Sequence, residues 1–129
     1  MTARTPEDLD RLFAEALNTG KLDALVALYE PQAALTPMPD TVVNGTAAIR
    51  EALAAFLAGK PTISLTPRLV AQSGDVAVVS AKWDLAVTGP DGKPANMTGQ
   101  SVEVVRRQSD GSWLFAIDLP FGVEGGAKP

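Results

Sequence analysis

Apolar residues fall at Leu9, Leu12, Phe13, Ala16 and Leu17. This i, i+3, i+4, i+7, i+8 spacing is the stripe of an amphipathic helix. Thr5-Pro6-Glu7-Asp8 starts it, with a threonine able to cap, a proline suited to the first helical position, and acids at the positive end of the helix dipole. Asn18-Thr19-Gly20 ends it. A second stripe of Leu22, Leu25, Val26, Leu28 and Tyr29 predicts another helix, stopped by Pro31. The stretch from Ala33 to Asn44, with Pro37 and Pro39, reads as short extended pieces and turns. Thr46 caps a third helix, with Ile49, Ala52, Leu53, Phe56 and Leu57 inward and Gly59 behind it.

Beyond Gly59 the pattern becomes strand-like. Residues 62–72, 75–88, 95–108 and 112–121 read as four strands, Pro67 marking the first as an edge or bulged strand. Asp91-Gly92 and Asp110-Gly111 separate the last three runs, and Asp-Gly is a strong hairpin signal because a tight turn needs positive φ. Three helices followed by an antiparallel meander define an α+β domain. At 129 residues the chain makes one domain, 1–122, with a Gly-rich tail at 123–129 expected to be flexible.

Two-residue hairpins at both Asp-Gly pairs would set Glu103 opposite Asp118 and Val104 opposite Ile117, and would set Glu103 opposite Ser80 and Ser101 opposite Lys82. One face then collects Val79, Ala81, Trp83, Leu85, Val102, Val104, Phe115, Ile117 and Leu119. The other collects Ser80, Lys82, Asp84, Ser101, Glu103 and Asp118. Directly opposed carboxylates, about 4.5–5.5 Å apart at Cβ, repel, so one tends to keep its proton. The polar face is equally the solvated side of a half-buried sheet. Alternation alone does not decide which face meets the helices.

Composition narrows the chemistry. The chain has no histidine and no cysteine. That excludes thiol nucleophiles, Ser-His-Asp triads, zinc sites of the usual type, iron–sulfur clusters and disulfides. Acid–base work falls to carboxylates, lysine or the single tyrosine, Tyr29, and a metal would have to be a hard ion on oxygen ligands. No cofactor or metal site is expected. A net charge of −4 and a pI near 4.7 give no basic stripe for nucleic acid. No segment has the apolar length of a membrane span, and the N-terminus lacks a secretory apolar region, so a cytoplasmic protein is expected.

The element order, together with Asn44-Gly45-Thr46-Ala47-Ala48-Ile49-Arg50, the run from Gly99 to Trp113 and Ile117-Asp118-Leu119-Pro120, resembles the nuclear transport factor 2-like superfamily. This is the fold of ketosteroid isomerases and SnoaL-like polyketide cyclases, and the look is closest to the SgcJ/EcaC-type branch. The resemblance implies a cone-shaped, curved antiparallel sheet with the three N-terminal helices packed on its concave face, a cystatin-like α+β barrel. It implies a pocket there, lined by Phe13, Tyr29, Met38, Lys82, Asp84, Ser101, Glu103 and Asp118. It also implies a homodimer through an apolar convex face of Trp83, Val102, Val104, Phe115 and Ile117. Glu103 matches the second acid of the isomerases and Tyr29 a supporting tyrosine. The isomerase base would fall at Pro37 and its oxyanion-donating tyrosine at Phe13, so that catalytic set is incomplete.

Two functions follow as expectations. One is a binding protein for a small apolar ligand of polyketide or steroid type. The other is a general acid–base enzyme, of isomerase, cyclase or dehydratase type, in which Glu103 and Asp118 are the catalytic candidates.

Overall fold

The computed structural model describes residues 2–89 and 91–123; the expected tail beyond Val123 lies outside the described residues. Helix α1 (Asp8–Asn18) leads to α2 (Leu22–Val26), strands β1 (Tyr29–Met38) and β2 (Thr41–Asn44), and helix α3 (Thr46–Leu57). The chain closes with β3 (Thr62–Ser73), β4 (Val76–Thr88), β5 (Pro94–Arg107) and β6 (Trp113–Leu119). The six strands form one curved sheet in the order β2-β1-β6-β5-β4-β3, antiparallel except where β1 runs parallel to β6. The expected α+β architecture holds. Among the described residues no helix is long and apolar enough to cross a membrane.

The entry to α1 is closed reciprocally: the Asp8 amide donates to Thr5 Oγ1 at 3.3 Å, and the Thr5 amide donates to Asp8 Oδ2 at 3.1 Å. This is a capping box one turn ahead of the regular helix. The far end of α1 is tied to the sheet. Asn18 Nδ2 donates to the Ile63 carbonyl at 2.9 Å, and the Ile63 amide donates to Asn18 Oδ1 at 2.7 Å. Helix and sheet then bury Leu9, Leu17, Leu25, Ile49, Val79, Val105 and Phe115 completely. Each such side chain contributes about 1.5–3 kcal/mol of transfer free energy.

One local expectation is corrected and another is sharpened. Helix α2 ends at Val26, and Tyr29 opens β1 rather than closing a helix. The reason is pairing: the Phe115 amide donates to the Leu28 carbonyl at 2.8 Å, and Tyr29 sits opposite Phe115. Residues 33–44, read as short extended pieces and turns, are extended at 33–38 and 41–44 with a turn between them, and both pieces continue the main sheet.

The larger correction concerns register. Both Asp-Gly connections hold three residues, not two. The Gly89 amide donates to the Lys93 carbonyl at 2.8 Å, and the Gln108 amide to the Ser112 carbonyl at 2.7 Å. Gly92 (φ 78°) and Gly111 (φ 85°) take the left-handed position that ends such a loop. Along β4–β5 every pair therefore shifts by one: Glu103 opposes Val79, Ser101 opposes Ala81 and Gly99 opposes Trp83. Along β5–β6 a bulge at Ala116 cancels the shift, so Glu103 still opposes Asp118 while Val105 opposes Phe115.

A one-residue slip exchanges the faces of a strand. Val79, Ala81, Trp83, Leu85 and Phe115 thus share the helix-covered face with Ser101, Glu103 and Asp118. Lys82 and Asp84, expected in the pocket, are exposed on the opposite face, and Trp83 and Phe115, expected at a dimer surface, are buried on the inner one. Val102, Val104 and Ile117 keep their expected place on the convex face, where Ile117 is 39% exposed.

Candidate functional site

A cavity of about 770 Å³ lies between the concave face of the sheet, α1 and α3. Its mouth is edged by the exposed side chains of Met38 and Met97, and Phe56, Ile63, Leu65 and Leu85 form much of its wall. Volume and apolar lining suit an organic ligand of drug-like size.

Its floor is polar and buried. α1 contributes Asp10, β1 contributes Tyr29, β5 contributes Ser101 and Glu103, and β6 contributes Asp118. All are buried, with Asp10 3%, Glu103 2% and Asp118 6% exposed. Tyr29 Oη donates to Asp118 Oδ2 at 2.5 Å. Ser101 Oγ donates to Glu103 Oε2, and the Ala81 amide donates to Ser101 Oγ at 3.2 Å. The carboxyls of Asp10 and Glu103 act on each other, and Asp10 Oδ2 and Glu103 Oε1 have no hydrogen-bond partner among the described residues. An ionised pair would have no donor between them, so a retained proton is the natural arrangement.

Aromatic rings fix this floor. Phe115 meets Tyr29 at 5.0 Å between ring centroids and Phe13 edge-on at 6.3 Å. Trp83 lies against Gly99, where any Cβ would collide with the indole, and its Nε1 donates to the Pro120 carbonyl at 2.7 Å. Phe121 meets that indole edge-on at 6.0 Å.

Burial pushes the Glu103 carboxyl well above the usual range, and the charges of Asp10 and Asp118 and its bond to Asp10 push the same way, against the Ser101 bond. Burial raises Asp118 to about 7; the Tyr29 bond opposes this and the Asp10 charge adds to it. Burial raises Asp10 to about 6, restrained by the bond from Glu103 and the charge of Arg11. Burial and the Asp118 carboxylate hold the Tyr29 phenol well above 10. Burial thus favours the neutral form of all four groups, and Asp10 and Asp118 titrate within reach of neutral pH. Among the described residues no group of carboxylates is placed to hold a metal ion.

Of the residues expected in the pocket, Phe13, Tyr29, Met38, Ser101, Glu103 and Asp118 line the cavity; Lys82 and Asp84 do not. Pro37, at the position of the isomerase base, also lines it. The sequence reading missed Asp10. Its signal was available: Asp10 stands at i, with Phe13 at i+3 and Leu17 at i+7, on the inner side of α1.

A helix-covered cone with a polar floor is the nuclear transport factor 2-like, or cystatin-like, fold. Residues 9–115 match the model of the SnoaL-like domain, and the chain belongs to that family. Among solved structures it is similar to a nuclear transport factor 2-like superfamily protein from Salmonella enterica, with a TM-score of 0.77 and 18% identity over 95% of this chain and 89% of the other. A ketosteroid isomerase-like protein from Erwinia carotovora is similar with a TM-score of 0.75 and 19% identity, covering 87% of this chain and 88% of that one. A protein with a cystatin-like fold from Caulobacter vibrioides gives 0.74 and 18%, with 86% and 82% covered. No curated protein is significantly similar in sequence.

Proposed function

We propose that this chain binds a small, mostly apolar molecule in the cone, with the polar end of the ligand against Asp10, Glu103 and Asp118. The observation that carries this is a cavity of about 770 Å³ whose wall is apolar and whose polar groups converge at the floor. A ligand of polyketide or steroid dimensions fits that volume. The test is native mass spectrometry for a co-purified molecule, joined to titration with apolar ring compounds. Leu65→Trp, which adds an indole to the cavity wall, should abolish binding. Equal binding by this variant would place the ligand elsewhere.

A second reading is supported by the split protonation of the floor: general acid–base catalysis with neutral Glu103 as acid and Asp118 as base. Any turnover found should fall in Glu103→Gln and Asp118→Asn, and its rate should rise with pH through about 7 in the wild type. Turnover unaffected in both variants would remove the named residues from the chemistry. The pattern around Asn44–Arg50 and Gly99–Trp113 supports placement in the SgcJ/EcaC-type branch. We further propose a homodimer through the convex face, supported by the half-exposed row of Val102, Val104, Ile117 and Leu119.

A further inference from the structure

Hydrogen-bond supply at the cavity floor is one-sided. The hydroxyl and indole donors there are already committed: Tyr29 Oη to Asp118, Ser101 Oγ to Glu103, and Trp83 Nε1 to the Pro120 carbonyl. No lysine, arginine, asparagine or glutamine is among the described residues lining the cavity. What remains is acceptors. Asp10 Oδ2 and Glu103 Oε1 lack a polar partner, on side chains only 3% and 2% exposed. Described ion pairs use other carboxylates, none of Asp10, Glu103 or Asp118.

A ligand carbonyl, enolate or carboxylate entering this floor would find no free N–H, hydroxyl or cation and would face a cluster of carboxyl oxygens. A ligand N–H or ammonium would find several acceptors in a medium where charge-assisted bonds are strong. We propose that the ligand is a hydrophobic amine, bound as its ammonium ion, with its charged nitrogen donating to the carboxylates of Asp10 and Asp118. This rests on the ligand-binding reading above and names the class of ligand for the same cavity.

The groups facing the ammonium would be Asp10 on α1, Tyr29 on β1, Glu103 on β5 and Asp118 on β6; the one cation acting on them among the described residues is Arg11, which acts on Asp10. Protonating the carboxylates removes the attraction, so affinity should climb with pH. An alkylammonium keeps its own charge across the window from about pH 5.5 to about pH 8.

The test uses four probes of one shape: 1-naphthylmethylamine, 1-naphthylmethanol, 1-naphthaldehyde and 1-naphthoate, titrated calorimetrically into the full chain. The amine should bind at least about tenfold more tightly than the aldehyde and the naphthoate, with the alcohol between. Its affinity alone should rise about tenfold or more across the pH window, with proton release visible as a buffer-dependent heat. In Asp10→Asn and Asp118→Asn the preference for the amine should collapse while the alcohol still binds, which shows that the cavity is intact. Equal affinity for all four probes, or a preference for the aldehyde or naphthoate, overturns the amine assignment and leaves the binding cavity standing. Binding of none of them overturns both.

Discussion

Replacing Asp118 by asparagine should make the protein's stability much less sensitive to pH. A buried carboxyl whose folded pKa is raised binds more protons folded than unfolded. Its contribution is therefore fully present below the unfolded pKa and is lost as pH rises towards the folded one. For Asp118 those limits are 3.8 and about 7, and for Asp10 they are 3.8 and about 6. At about 1.4 kcal/mol per unit, Asp118 costs about 3 kcal/mol and Asp10 about 1 kcal/mol between pH 5 and pH 8. Glu103, also raised by burial, adds to the same slope. Carboxylates with lowered values, Asp8 and Asp110, finish titrating below this window and leave it undisturbed. A total of about 4 kcal/mol is a large share of a domain's net stability. Asparagine keeps the acceptor for Tyr29 and cannot ionise. Urea unfolding at pH 5, 6, 7 and 8, followed by tryptophan fluorescence, should show wild-type stability falling with pH and the Asp118→Asn fall shrinking by about 3 kcal/mol. Wild-type stability that stays flat or rises from pH 5 to pH 8, or an unchanged slope in the variant, refutes the reasoning.

Other consequences are equally direct. Tyr29→Phe removes the one donor that the described residues give Asp118 Oδ2 and should cost about 1.5–3 kcal/mol at pH 8, and less at pH 5, in the same unfolding assay. Gly99→Ala drives a methyl group into the Trp83 indole and should destabilise by about 1–3 kcal/mol, with a change in the fluorescence of Trp83. Ile117→Lys places a charge in the convex apolar row and should turn dimers into monomers or aggregates by light scattering; a wild-type protein of monomeric mass contradicts the dimer.

Much of the architecture was legible from periodicity. The stripe of α1, the cap at Thr5, the third helix and the last four strands all fall where the spacing of apolar residues puts them. Tyr29 was misread because a helical apolar spacing continues past Val26, while the pairing that pulls Tyr29 into β1 comes from Phe115, far along the chain. The faces of β4 were misread for a subtler reason. An Asp-Gly pair fits a two-residue turn or the end of a three-residue loop, and the choice moves a whole strand by one position. Clean sorting of apolar from polar favoured the wrong choice. The inner face instead sets Glu103 and Asp118 among Val79, Ala81, Trp83 and Phe115, because a buried carboxyl floor needs apolar surroundings. Glu103 and Asp118 were paired correctly all the same, since the bulge at Ala116 restores the register where they meet. Asp10 falls outside the apolar stripe that marks α1, although its spacing to Phe13 and Leu17 puts it on the inner side.

The central claim is that an apolar molecule enters the cone and rests on the carboxyl floor. Amide and tryptophan-indole NMR shifts during titration with a naphthalene-sized ligand test it most directly. The account predicts saturable shifts at Tyr29, Trp83, Ser101, Glu103 and Asp118, with Lys82 and Asp84 on the far face unmoved. No saturable shift, or shifts confined to the convex face, would contradict it.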